Sequence, residues 1–168
     1  INFSFKDLSG KLPANRWRLI GDKWYYYKNY VKQTGWINDG QSWYYLNQDG
    51  TQYKGWLLLN NQYYYLLPTT GQMKTGWLQA EDAWYYLNSD GTMAKDWIQV
   101  DGKYYYLLNG AMVTGWLRID TDYYYLRGDG SMVTGWRKMD GKYYYFGSNG
   151  KLVRGWADID GKRYFLQQ

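Results

Sequence analysis

The stretch Thr114-Gly115-Trp116-Leu117-Arg118-Ile119-Asp120-Thr121-Asp122-Tyr123-Tyr124-Tyr125-Leu126-Arg127-Gly128-Asp129-Gly130-Ser131-Met132 decides the fold. It is one copy of a unit that fills most of the chain. Its tryptophan returns every 19–21 residues, at Trp17, Trp36, Trp56, Trp77, Trp97, Trp116, Trp136 and Trp156. Seven residues after each stand Trp24, Trp43, Tyr63, Trp84, Tyr104, Tyr123, Tyr143 and finally Arg163. A fixed period of this length marks a repeat architecture, in which neighbouring units supply each other's core.

With the tryptophan at position zero, positions four and five hold Asp101-Gly102, Asp140-Gly141, Asp160-Gly161 and Asn60-Asn61. These residues tolerate the positive φ of a two-residue hairpin turn. Each unit therefore reads as a short β-hairpin, the tryptophan opening one strand and the aromatic triplet forming the other. The turn fixes the register: zero pairs with nine, one with eight, two with seven. Zero, two, seven and nine then share one face, and one, three, eight and ten the other.

The second of these faces is aliphatic. Position three carries Ile20, Leu59, Ala80, Val100, Ile119, Met139 and Ile159, broken only by Asp39, and position ten carries Tyr27, Leu46, Leu66, Leu87, Leu107, Leu126, Phe146 and Leu166, with tyrosine recurring at position eight. It is expected to form the internal wall. The first face mixes polar residues at position two (Asn38, Gln79, Gln99, Arg118, Lys138, Asp158) with large rings at zero, seven and nine. It should be partly exposed. Since a lone hairpin is marginal in water, the units must stack, giving an all-β solenoid of about eight hairpins over residues 16–168. Residues 1–15 stand outside the pattern as a non-repeat segment or linker. Asn47-Gln48-Asp49-Gly50, Asn88-Ser89-Asp90-Gly91 and Arg127-Gly128-Asp129-Gly130 are turn-rich linkers, and Pro68 lies in a longer one. Four residues before the next tryptophan stands Met73, Met93, Met112, Met132 or Leu152, but Lys32 and Gln52 in the early repeats.

Composition narrows the chemistry. The 168 residues include 22 Tyr and 11 Trp but only 4 Phe, a bias towards rings with a polar handle. There is no Cys and no His, which removes disulfides, thiolate metal sites and the commonest general base. The net charge of +5 comes from scattered Lys and Arg, so it suggests attraction to polyanions without a nucleic-acid patch. No stretch is long and apolar enough for a transmembrane helix. The chain opens Ile1-Asn2-Phe3 with no signal-like segment and reads as a mature piece or an excised module. The acids are Glu81 and otherwise Asp, many of them at turns, with no distinctive pair of the kind glycoside hydrolysis needs. No enzyme, metal or cofactor is expected from these residues, although a parent protein could carry a catalytic domain such as a cell-wall hydrolase. What exposed rings without acids can do is hold a cation, best one with no hydrogen-bonding capacity such as a quaternary ammonium. Three rings at roughly 0.5–2 kcal/mol each give about 2–6 kcal/mol, near-millimolar affinity for one site. Repetition against a polymeric ligand would then supply the avidity.

The units Thr75-Gly76-Trp77 to Met93 and Thr114-Gly115-Trp116 to Met132 resemble the choline-binding repeats of Gram-positive surface proteins and lysins. The resemblance covers about residues 16–168. It implies hairpins wound into a left-handed superhelix. It further implies choline held between consecutive hairpins by the repeat Trp and following aromatic of one unit, an aromatic of the next, and a Met wall. The implied ligand is phosphocholine on teichoic and lipoteichoic acids, bound by a secreted, cell-wall-associated protein. Carried over by position, the expected sites are Trp77, Trp84 and Tyr106 with Met93; Trp97, Tyr104 and Tyr125 with Met112; and Trp116, Tyr123 and Tyr145 with Met132. Trp56, Tyr63 and Tyr86 with Met73, and Trp136, Tyr143 and Phe165 with Leu152, follow the same plan. Trp36, Trp43 and Tyr65 depart from it in having Gln52 at the wall, and Trp17, Trp24 and Tyr45 in having Lys32. Arg163 replaces the last aromatic, so the final hairpin is expected to cap the stack, and a terminal hairpin could pair two copies of the chain. The alternative is a glucan-binding module, since Tyr-rich repeats also stack on sugars.

Overall fold

A computed structural model describes residues 14–166, so residues 1–13 of the expected N-terminal segment lie outside the described residues. All regular structure among those residues is β, in eight small antiparallel sheets, each built on one hairpin. Typical pairs are Arg16–Ile20 with Lys23–Lys28, Gly55–Leu59 with Gln62–Leu66, and Gly115–Ile119 with Asp122–Leu126. The register is the expected one: Trp116 faces Tyr125, Leu117 faces Tyr124, and Arg118 faces Tyr123. At the tips, Asp101 and Gly102 sit at φ 49° and 76°, and Asn60 and Asn61 at 50° and 61°. Both central residues of the turn are therefore left-handed, which matches the twist of the two strands.

The chain divides into two compact units, one of residues up to Leu78 together with Tyr86–Met93, the other of Gln79–Tyr85 together with residues from Ala94 onward. Within the first, Tyr26, Ile37, Tyr44 and Leu46 form a buried cluster under Trp17. Within the second, Leu117, Tyr124 and Leu126 do the same, with Trp97, Tyr106 and Met132 packed against them. The same rule builds both: the tryptophan of one hairpin lies against the position-eight tyrosine of the next. Trp17 meets Tyr44, Trp36 meets Tyr64, Trp97 meets Tyr124, Trp116 meets Tyr144 and Trp136 meets Tyr164, at centroid distances of 4.7–5.2 Å.

The face carrying the tryptophan is partly exposed, as expected, and partly covered by the back of the following hairpin. The aliphatic spine also runs closer to the hairpin base than expected. Position ten is completely buried at Leu66, Leu87, Leu107, Leu126 and Phe146, and position one is buried at Ile37, Leu57, Leu78 and Leu117. Position three is only half-buried in most hairpins and exposed at Ile20, since it adjoins the turn at the tip. Position ten instead pairs with the residue before the tryptophan, as in Gly115 with Leu126 and Gly135 with Phe146.

Linkers lock the stack. Each runs back across two hairpins: the Met73 N–H donates to the Trp43 carbonyl at 2.7 Å while Met73 bridges to Leu66. Gln52 does the same to Trp24, Met93 to Tyr63, Met132 to Tyr104 and Leu152 to Tyr123. The side chain at this place then lies over a glycine of the following linker. A Cβ at Gly91, Gly130 or Gly150 would collide with the sulfur of Met73, Met112 or Met132, and each of these glycines has φ of 77–85°. Glycine is required there twice over, for conformation and for space.

Candidate ligand-binding site

The rings at position seven are accessible in most hairpins. Trp24, Trp43, Tyr63, Trp84, Tyr104 and Tyr143 are all exposed, because they stand near the hairpin tip on the strand edge that the linker follows. The position-zero tryptophan stands beside them, wedged between two rings. Trp36 packs edge-on against Tyr45 of its own hairpin (5.3 Å) and Tyr64 of the next (5.0 Å), and Trp97 is held in the same way by Tyr106 and Tyr124. Trp56 and Tyr63 meet at 6.3 Å with planes at 90°, two walls of a corner.

The structure brings together most of the expected ring pairs but changes their company in two respects. First, the third ring packed on each tryptophan from the next hairpin is at position eight, not nine. Tyr65, Tyr86, Tyr106, Tyr125, Tyr145 and Phe165 lie 5.0–5.3 Å from the tryptophans of their own hairpins. Alternation supplies the reason: position eight points back towards the preceding hairpin, and position nine points on towards the following one. Tyr64, Tyr124, Tyr144 and Tyr164, read from the sequence as part of the internal wall, are thus the rings that meet the tryptophan of the preceding hairpin, and the parity of the strand was the signal that could have placed them there.

Second, the wall residue belongs one repeat further along. Met73, expected beside Trp56 and Tyr63, is seated on Trp43; Met93 is seated on Tyr63; Met132, expected beside Trp116, is seated on Tyr104 and packs in the cluster that holds Trp97. The Met73 backbone is therefore seated on the hairpin of Trp36 and Trp43, and that of Gln52 on the hairpin of Trp24. Lys32 sits over Tyr25 at 5.6 Å and donates to the Asp49 carbonyl. Trp77 and Met93 lie in the first unit and Trp84 and Tyr106 in the second.

One expected set is joined in a single cavity. Trp136, Tyr143 and Phe165 line a cleft of about 660 Å³ together with Lys142, Tyr144, Tyr164 and Leu166. Leu152, its expected wall, is on Tyr123 instead. In the last hairpin Arg163 lies over Trp156 at 5.7 Å and pairs with Asp158.

These ring faces already hold cations of the protein itself. Lys138 Nζ lies 5.3 Å above Tyr143, and Arg118 lies 5.6 Å from Tyr123. Carboxylates occur beside the rings at the first hairpin, where the Trp17 indole N–H donates to Asp39 at 3.0 Å. Burial works against ionisation of Asp39, yet hydrogen bonds from Trp17, Ser42 and Gln41 hold its carboxyl below the usual range. Trp17 is thereby a structural tryptophan, consistent with its departure from the repeat pattern. Among the described residues no cluster of acidic, His or Cys side chains could hold a metal ion.

The family model described as choline-binding repeat matches residues 33–76, 74–114, 113–153 and 133–168. The chain belongs to the choline-binding repeat family. A cell wall binding repeat model matches residues 15–29 as well, so the first hairpin joins the series. Solved choline-binding proteins share the arrangement. CbpJ from Streptococcus pneumoniae TIGR4 is 38% identical with a TM-score of 0.82, over 86% of this chain and 54% of that one. Choline binding protein F from Streptococcus pneumoniae, solved with a peptidoglycan analogue, is 38% identical with a TM-score of 0.79, over 94% and 58%. The choline-binding domain of CbpL from Streptococcus pneumoniae is 36% identical with a TM-score of 0.68, over 97% and 87%. The chain thus spans little more than half the length of the first two and nearly all of the third. No curated protein matches it. The choline-binding repeats account for the hairpin stack and for the recurring rings at positions zero and seven.

Proposed function

We propose that this chain is a non-catalytic module that takes choline between consecutive hairpins and anchors an attached protein to the bacterial cell wall through phosphocholine on teichoic and lipoteichoic acids. The observation that carries the reading is the recurrence of exposed position-seven rings beside the repeat tryptophan, on faces that already accept the protein's own cations. The quaternary nitrogen would lie against Trp36, Trp43 and Tyr64 with Met73, or against Trp97, Tyr104 and Tyr124 with Met132. Trp56 and Tyr63 with Met93 form a further set, as do Trp136, Tyr143 and Phe165 in their open cleft. Scattered lysines and arginines favour the phosphate-bearing polymer on which such headgroups are carried.

A titration separates this from the glucan-binding reading. Choline at millimolar concentration is expected to change tryptophan fluorescence and raise the melting temperature by mass action on the folded state. Glucan oligosaccharides are expected to do neither. A shift with glucan and none with choline would reverse the assignment.

A further inference from the structure

The position-seven rings are exposed in six hairpins, but Tyr123 is half-buried. The reason is an arginine. Arg154 Cζ lies 4.4 Å from the centroid of the Tyr123 ring, nearer than any other cation–ring pair among the described residues. Its approach is built by the linker. The Leu152 N–H donates to the Tyr123 carbonyl at 2.7 Å, the Val153 N–H donates to Tyr145 at 2.9 Å, and Lys151 pairs with Asp122 at 2.6 Å. The next residue along is Arg154. At the same place in their linkers stand Thr34, Thr75, Thr114 and Thr134, which carry no charge, and Lys54 and Lys95, which do. Thr134 follows Met132, the residue seated on Tyr104, so the Trp97–Tyr104 set has a threonine where the Trp116–Tyr123 set has a guanidinium.

We propose that Arg154 is a built-in occupant of the Trp116–Tyr123 ring set, so that this site is held against choline while the Trp97–Tyr104 site is open. The inference rests on reading the ring sets as choline sites. A guanidinium stacks on an aromatic face by the same quadrupole attraction that holds a quaternary ammonium. It is also tethered, and a short tether gives an effective concentration on the order of millimolar or above, comparable with the affinity of a single cage. Tethered cation and free choline therefore compete on nearly equal terms, and a site with its own arginine responds only at higher ligand concentration. Arg154 thereby sets which cages act as anchors at a given density of headgroups.

Choline chloride titrated into the full chain, followed by the indole N–H cross-peaks of Trp97 and Trp116 in ¹H–¹⁵N spectra, tests this. The two peaks are assigned by their loss in Trp97→Phe and Trp116→Phe. In the native chain the Trp116 midpoint is expected roughly two- to three-fold above that of Trp97. Arg154→Thr should bring the two together, and Thr134→Arg should move the Trp97 midpoint up by a similar factor while leaving Trp116 in place. Equal midpoints in the native chain, or a Trp116 midpoint unmoved by Arg154→Thr, would overturn the role of Arg154 and leave the choline reading standing. If no indole responds to choline in any of these chains, the choline reading itself falls, and the arginine inference with it.

Discussion

At the residue scale, the position before each tryptophan shows how conformation rather than packing selects the amino acid. Gly35, Gly76, Gly115, Gly135 and Gly155 sit there at φ of 72–79°, with open space where a Cβ would be. Asp96 occupies the same place at φ 61°, reaching only a long 3.4 Å hydrogen bond from the Tyr106 hydroxyl. A left-handed non-glycine residue is strained, and aspartate is among the residues that bear it best. Asp96→Gly is therefore expected to raise stability by about 0.5–1 kcal/mol, read from urea denaturation. Ring deletions belong to this scale too. Tyr104→Ala should remove one wall of one cage and weaken that site by roughly 0.5–2 kcal/mol. Retention on a quaternary-amine matrix should then fall without being abolished, because the other ring sets remain. Complete loss of retention would mean that the sites are not independent.

At the scale of the hairpin and its linker, the decisive contact is the methionine laid over a glycine of the next linker. Gly130→Ala would need a left-handed alanine and a displaced Met112, costs of about 1 kcal/mol and about 1–3 kcal/mol respectively. The expected loss, about 2–4 kcal/mol, should appear as a lowered urea midpoint, whereas Gly128→Ala, where nothing lies within 4 Å and φ is not left-handed, should be near neutral. The hairpins and their register were legible in the sequence because Asp-Gly and Asn-Asn turns and strict two-residue alternation act within a dozen residues. The ring pairs at positions zero and seven were legible for the same reason. The partner hairpin's contribution was not. Choosing Tyr124 over Tyr125 against Trp97 depends on which face of one hairpin meets the next. Seating Met132 on Tyr104 depends on a linker crossing two hairpins. Neither is written in the spacing of a single unit, and the family resemblance, applied position by position, grouped each ring pair with the wall residue of its own linker. Arg154 looked like one more scattered charge until the linker delivered it to a ring.

At the scale of the whole chain, three linkers carry the same acid-sensitive brace. Asp49, Asp90 and Asp129 each accept the hydroxyl of Thr51, Thr92 or Ser131 at 2.6 Å and the backbone N–H of the same residue. These hydrogen bonds hold all three carboxyls below the usual range. A depressed folded-state pKa contributes stability that is complete above the unfolded value, near 3.9, and is lost as pH falls through the folded value. The melting temperature should therefore be flat from neutral pH to about pH 5 and fall below about pH 4. Replacing the three aspartates by asparagine should flatten that acid limb, and an unchanged limb would place the acid sensitivity elsewhere. Choline, binding only the folded chain, should raise the melting temperature across the whole range and most strongly where several cages fill together.

The linker that runs back across two hairpins also sets an order in time. The backbone seat for each wall residue lies 28–30 residues earlier in the chain, as from Met73 to Trp43 or Met132 to Tyr104. A polypeptide leaving the ribosome must therefore extend by about a repeat and a half after a ring pair is made before that pair gains its floor. Sites mature in single file behind the growing end, each sealed by chain that belongs to a later unit.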